Sequence, residues 1–131
     1  MMELIDTILS KKPFEVEEKE KIFLESMRES LRYHYENCEY FKKFIDAQKF
    51  DVNSEYKLEE IPFIPTSVFK EVKLITGKNE NIKKEVNSSS TSSGKPSKIY
   101  LDLITINRQR KALTQILSNF IVSTRKVFII F

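Results

Sequence analysis

The sequence predicts an α/β fold with a helical N-terminal region, and three patterns along its 131 residues support this prediction. Apolar residues recur every three or four positions through residues 1–50, which is the period of an amphipathic helix. Prolines interrupt residues 51–80, and residues 81–131 alternate between short strand-forming runs, a polar loop and a further helical stretch. A strand, loop, strand, helix and strand in this order is typical of the α/β class.

Two helical stretches are predicted in the first third. Leu4, Ile5, Ile8 and Leu9 form the apolar face of a short helix that closes at Pro13. A second face has steps of four, four, three, four, three and four residues and comprises Phe23, Met27, Leu31, His34, Cys38, Phe41 and Ile45. The acids at its first turns, Glu15, Glu17, Glu18 and Glu20, offset the positive end of the helix dipole. Asn37 is a candidate break that divides this stretch into two helices.

Residues 51–80 form an apolar connector. The segment IPFIPTSVFK at 61–70 cannot start as a helix, because each proline biases the preceding residue towards extended geometry. Thr66 or Ser67 is a candidate cap for a short helix through Phe69 and Lys70, and Gly77 is a candidate turn residue.

The last third contains the predicted sheet elements. Strands are expected at 82–87 and 99–101, a helix from Leu103 to about Ser123, and a fully buried strand at 127–131. A chain that stops on its most strand-like residues leaves a sheet edge exposed. We therefore expect the polypeptide to continue, which would make residues 1–131 the N-terminal segment of a larger domain.

Composition narrows the classes of function. With 22 Lys and Arg against 19 Asp and Glu, the charge is nearly balanced, and no basic stripe indicates a nucleic-acid partner. No apolar run reaches the roughly 20 residues needed to cross a bilayer. A single cysteine, Cys38, and an N-terminus without the basic start of a secretory signal predict a cytoplasmic protein.

The polar loop at 88–97 is the segment best suited to chemistry. Its run from Ser88 to Lys98 combines six hydroxyls before a glycine and a lysine, which are the donors and the charge that phosphate oxygens need. A flexible linker is the structural alternative for a Ser-rich stretch, although strands frame this one closely. A Walker A loop is excluded, because Ser89 and Pro96 stand where that motif needs glycine and Ser or Thr.

The segment SSTSSGKPSK at 89–98 resembles the phosphate-binding motif of AMP-forming adenylating enzymes. Its surroundings resemble the acyl-protein synthetase (LuxE-like) branch, which is related to phenylacetate-CoA ligases. The similar segments are IPFIPTSVFK at 61–70, KIYLD at 98–102, Thr105, Arg108-Gln109, Ala112-Leu113, Glu18-Lys19 and YHYENC at 33–38 with Tyr40-Phe41. The resemblance covers most of residues 15–131.

This resemblance implies the start of the large domain of an adenylate-forming enzyme. The implied activity is ATP-dependent conversion of a fatty or other carboxylic acid into an acyl-adenylate, followed by transfer of the acyl group to a protein thiol, with Mg²⁺ accompanying ATP. The implied phosphate-binding residues are Ser89, Ser90, Thr91, Ser92, Ser93, Gly94 and Lys95. Lys95 would also be catalytic, by stabilising the charge on departing pyrophosphate. Thr91 stands where many relatives carry glycine.

The implied partners are ATP, a carboxylic acid and an acyl-accepting or acyl-donating protein. In the family, the contacts to adenine and ribose, the carboxylate pocket, the catalytic lysine of the mobile C-terminal domain and the acyl-accepting cysteine lie beyond the segment covered here. We therefore do not expect this chain alone to complete the reaction.

Other candidate residues have a structural alternative. His34 and Cys38 share a helix face, but zinc needs four ligands, so core packing is expected for both. Tyr33, Tyr35 and Tyr40 either pack or line an acyl channel. Arg108 and Arg110 open a helix where positive charge opposes the dipole, and Arg108 would reach a phosphate, reach a neighbouring acid or lie on the surface.

Two other functions remain open from the sequence. The first is a non-catalytic helical interaction module, or a truncated paralogue that keeps only the entry segment of the fold. The second is a nucleotide-binding regulatory domain.

Overall fold

The computed structural model describes residues 3–13, 19–89 and 95–121. Five α-helices and two strands lie in these residues: α1 Glu3–Ile8, α2 Lys19–Asn37, α3 Glu39–Ala47, α4 Val68–Glu71, β1 Ile82–Asn87, β2 Lys98–Asp102 and α5 Leu103–Phe120. Short 3₁₀ turns at Leu58–Glu60 and Asn79–Asn81 complete the connector. The strand predicted at 127–131, and the acids Glu15, Glu17 and Glu18, fall outside the described residues.

The helical first third is present as predicted, including its break. Helix α2 ends at Asn37, and Cys38 has an extended backbone (φ −134°, ψ 105°) before α3 begins. Helix α1 ends at Ile8, well before Pro13, because the amides of Ser10 and Lys11 bond carbonyls only three residues back and so tighten the turn. The Glu29 carboxylate accepts the Leu4 amide at 3.0 Å, which ties the start of α1 to α2.

The core lies between α2, α3 and the chain that follows α3. Its buried apolar side chains are Leu31, Cys38, Ile45, Val52, Tyr56 and Leu101, and Ile45 is fully buried. The Phe50 ring packs against Tyr56 with 4.8 Å between centroids, and the Arg28 guanidinium lies 5.2 Å from the centroid of the same ring. Arg28 also donates to the Tyr56 carbonyl at 2.8 Å, so the connector is fastened to α2.

The connector contains the predicted short helix and the predicted glycine turn. Ser67 occupies the N-cap of α4 but makes no side-chain capping bond, so the predicted hydroxyl cap is wrong. Backbone bonds shape this turn instead, beginning with the Val68 amide to the Pro65 carbonyl at 3.0 Å. Gly77 has φ +83°, a region that favours glycine, and its amide bonds the Asn37 carbonyl at 2.9 Å. The connector therefore returns to the end of α2.

Strands β1 and β2 form an antiparallel hairpin, in which Asn87 pairs with Lys98 next to the loop and Ile82 pairs with Asp102 at the far end. An isolated two-stranded hairpin is marginal in water. Here the Lys73 ammonium lies 5.0 Å from the centroid of the Tyr100 ring, and Leu101 is buried. These contacts hold the hairpin against the connector.

Helix α5 begins directly after β2 because Asp102 caps it. The Asp102 carboxylate accepts the Thr105 amide at 2.7 Å. We expect Asp102→Ala to lower the free energy of unfolding by about 0.5–2 kcal/mol, because the amide loses its acceptor. Urea denaturation of the variant measures this loss, with Asp102→Asn as the control that retains a capping oxygen. Equal stability of wild type and Asp102→Ala would contradict the assigned cap.

Within the three described ranges, no helix combines the length and the apolar character that a membrane span requires.

Candidate phosphate-binding hairpin

The polar loop joins the two strands of the hairpin, so it is framed by sheet as the sequence predicted. The Ser88 amide donates to the Ser97 carbonyl at 3.0 Å, and the Ser97 amide donates to the Ser88 hydroxyl at 2.9 Å. Across the strands, the Lys98 ammonium lies 3.3 Å from a Glu85 carboxylate oxygen. These bonds close the base of the loop, which argues against a linker between separate bodies.

Of the seven residues assigned to phosphate binding, Ser89 and Lys95 are described, and both are exposed. The other five, Ser90, Thr91, Ser92, Ser93 and Gly94, lie outside the described residues. Their assignment stays a prediction. The structure describes the base of the loop, where Ser88 and Ser97 are hydrogen-bonded to each other.

Lys95 contacts a partner that could not be predicted from the sequence. Its ammonium lies 2.5 Å from a Glu71 carboxylate oxygen at the end of α4. Both side chains are exposed, by 55% and 67%, and exposed ion pairs of this kind contribute little to stability. A phosphate oxygen can therefore compete with Glu71 for the ammonium. The contact shows that Lys95 can present its charge to an anionic oxygen.

Arg108 pairs with an acid, which decides among the alternatives that the sequence left open. Its Nε and one terminal nitrogen donate to the two Asp6 carboxylate oxygens at 2.9 and 2.6 Å. This bidentate bond lowers the pKa of Asp6 and joins α5 to α1 across 102 residues of sequence. Positive charge near the start of α5 is thus matched by Asp6, and nothing in this geometry requires a phosphate.

His34 and Cys38 pack as expected. Cys38 is 5% exposed. The His34 Nδ1 lies 2.7 Å from the Thr76 hydroxyl, and the imidazole meets the rings of Tyr33 and Phe41 edge-on, with centroids 5.8 and 5.9 Å away. Burial lowers the pKa of His34, because the charged imidazolium loses its hydration.

A pH dependence of stability follows from His34. The pKa of His34 lies below its ordinary value of 6.5 in the folded chain. At a pH between the folded and the unfolded pKa, the unfolded chain therefore binds a proton that the folded chain does not. The free energy of unfolding should therefore fall as the pH is lowered through the region just below 6.5. Urea denaturation between about pH 7.5 and 5.5 measures this slope, and His34→Asn should reduce it. Because His34 is the chain's one histidine, equal slopes in both proteins would contradict the assignment.

The three tyrosines considered for an acyl channel separate in the structure. Tyr33 lines a cavity between α2, the connector and the hairpin. The Tyr35 hydroxyl donates to Asp46 at 2.8 Å, which raises its pKa, and Tyr40 is 57% exposed. Neither Tyr35 nor Tyr40 lines that cavity.

In the part of the chain that the structure describes, no three or more His, Cys, Asp or Glu side chains form a group that could hold a metal ion.

Comparison with known proteins shows which class of protein this chain resembles. It is 38% identical over 94 residues to a long-chain-fatty-acid–luciferin-component ligase of Photorhabdus luminescens. The aligned residues make up 70% of this chain and 77% of that protein. It is 36% identical over 108 residues to the ligase of the same name from Aliivibrio fischeri. Here the aligned residues make up 81% of this chain but 28% of that protein. Both relatives are named as ligases. No solved structure matches the chain.

The family model of the acyl-protein synthetase LuxE matches residues 1–131. The chain therefore belongs to the acyl-protein synthetase (LuxE) family, which confirms the resemblance found in the sequence.

Proposed function

We propose that this chain supplies the phosphate-binding part of an ATP-dependent ligase that activates a long-chain fatty acid. In the first step, a carboxylate oxygen of the acid attacks the α-phosphorus of ATP, the bond to the β-phosphate breaks, and pyrophosphate leaves. In the second step, a protein thiol loses its proton and attacks the acyl carbonyl, and AMP leaves. Membership of the family and the names of the two relatives support the class of substrate.

The observation that carries the proposal is the closed hairpin with Lys95 at its base. Two hydrogen bonds between Ser88 and Ser97 fix where the loop leaves and rejoins the sheet. Lys95 emerges beside them and already contacts a carboxylate oxygen of Glu71. A hydroxyl-rich loop on a fixed base, with one ammonium group at its end, fits the tail of a triphosphate.

Each described residue has a limited role in this proposal. Lys95 stabilises negative charge as pyrophosphate departs, and the Ser89 hydroxyl donates to a phosphate oxygen. Mg²⁺ would enter with ATP and would be held mainly by the phosphates and by water, which is usual for this ion in nucleotide sites. We place the reaction in the cytoplasm, because a chain with a single cysteine, Cys38, has no internal disulfide that needs an oxidising compartment. Cys38 is buried, so we do not propose it as the acyl-accepting thiol.

An interaction module remains a second candidate, and helix α5 favours it. Leu113, Ile116, Leu117 and Phe120 recur at helical spacing and are 58%, 44%, 40% and 73% exposed. Such a stripe is suited to covering by another polypeptide surface. This alternative requires no nucleotide.

The exchange of labelled pyrophosphate into ATP separates the two candidates. Measured on the whole natural polypeptide that contains this chain, exchange should require both Mg²⁺ and a long-chain fatty acid. A short-chain acid such as acetate serves as the matched control. Absence of exchange from a folded protein that also fails to bind ATP would overturn the proposal and favour the interaction module.

A further inference from the structure

A cavity of about 640 Å³ lies between the second half of α2, the connector and the hairpin with the start of α5. Apolar side chains dominate its lining, among them Phe41, Phe69, Ile75, Ile99 and Ile104. Small-molecule sites in proteins are commonly about 300–1,000 Å³ and mainly apolar, with a few polar groups. The cavity therefore has the size and surface of a ligand site.

Several of the polar and charged groups on its wall are bonded to other groups of the protein. His34 bonds Thr76, Asp102 caps the Thr105 amide, and Arg108 bonds Asp6. A nucleotide base or a sugar needs donors and acceptors that can turn towards it, whereas a hydrocarbon chain needs only apolar surface. This lining favours a hydrocarbon occupant.

The cavity and the phosphate-binding hairpin share two supporting elements. Helix α4 contributes Phe69 to the cavity wall and Glu71 to the contact with Lys95. Strand β2 contributes Ile99 and Tyr100 to the wall and follows directly from the loop. A ligand in the cavity would therefore lie beside the elements that position the loop.

We propose that this cavity binds the hydrocarbon tail, but not the carboxyl group, of the carboxylic acid substrate. The identity of the ligand rests on the proposed function, in which a long-chain fatty acid is activated. The ionised carboxyl group stays outside the apolar wall, because burying an unpaired charge is costly. Lys78 also lines the cavity and adds positive charge to its wall, and its ammonium lies 3.7 Å from a Glu80 carboxylate oxygen.

The test is equilibrium binding of octanoate, decanoate and dodecanoate to the full chain, without ATP and below their micelle-forming concentrations, by titration calorimetry. Each added methylene buried in the cavity should raise the affinity about fourfold, so each step in this series should raise it about sixteenfold. The matching fatty alcohols show how much of the binding depends on the carboxylate.

A matched pair of variants locates the site. Ile104 and Leu103 are neighbours on α5 and are each 55% exposed, but Ile104 lines the cavity and Leu103 does not. Ile104→Trp should narrow the cavity and weaken dodecanoate binding about tenfold or more, whereas Leu103→Trp should leave it unchanged. Circular dichroism verifies that both variants are folded.

The outcomes distinguish this inference from the proposed function. No binding of dodecanoate, or equal effects of the two tryptophan variants, would overturn the cavity assignment even if ATP still binds and exchanges pyrophosphate. Selective loss in Ile104→Trp supports the assignment. If the fatty acids bind as expected while ATP does not bind, the cavity assignment stands and the proposed function fails.

Discussion

Replacing Lys95 by alanine is expected to lower fatty-acid-dependent exchange of pyrophosphate into ATP by about 100- to 1,000-fold, the usual effect of removing one group that stabilises developing charge. Lys95 is the one lysine within the polar loop at 88–97, and its ammonium already contacts an anionic oxygen at 2.5 Å. Because its exposed ion pair with Glu71 adds little to stability, the variant should remain folded. The exchange rate at saturating ATP, measured on the whole natural polypeptide, checks the prediction.

Two further variants make this result specific. Lys84→Ala removes a lysine exposed on β1 of the same hairpin and should exchange at the wild-type rate. Lys95→Arg keeps the positive charge but changes its shape, so it should recover part of the lost activity. If Lys95→Ala exchanged as fast as wild type, the role assigned to this lysine would be wrong.

Replacing Ile45 by alanine is expected to lower the free energy of unfolding by about 2–5 kcal/mol. Ile45 is 0% exposed and is the largest fully buried side chain in the described part of the chain. The substitution removes its apolar contacts and leaves a void that the surrounding helices fill only in part. Urea denaturation monitored by circular dichroism measures the loss.

The control for Ile45 is Phe63→Ala, because Phe63 is 83% exposed and should change stability by only about 0.5 kcal/mol. Its side chain is larger than that of Ile45, so the comparison separates burial from size. Comparable losses in the two variants would show that the core does not centre on α3.

Local structure was largely predictable from the residues. The strand at 82–87 has the predicted bounds, since its β-forming run ends where the serines begin. The break after Asn37 and the turn at Gly77 were also predicted correctly. Helix ends were less predictable: α5 ends at Phe120 rather than near Ser123. Spacing shows which face is apolar, but it does not determine the residue at which the last turn unwinds.

Tertiary partners were not predictable. The sequence showed that the charge of Arg108 opposes the dipole of its helix. Nothing in the pattern identified its partner Asp6, which lies 102 residues away. Glu71 has no feature in the sequence that distinguishes it from other acids, and its contact with Lys95 exists only because the hairpin places the two side chains together. The cavity is likewise formed by segments that meet only after folding.

For the candidate site, the residues alone predicted a phosphate-binding loop between two strands, and the resemblance supplied its reaction. The strands and the closed base are present, and the family is confirmed. The roles of Ser89 and Lys95 stay predictions.

Titration of the isotopically labelled chain with Mg²⁺ and ATP, followed by the backbone amide resonances in NMR spectra, tests the nucleotide site most directly. We expect the largest shifts at Ser88, Ser89, Lys95 and Ser97, at the base of the hairpin, and much smaller ones on the exposed stripe of α5. Unchanged resonances at these four residues, in a chain whose hairpin is intact, would contradict the assignment of this loop to ATP.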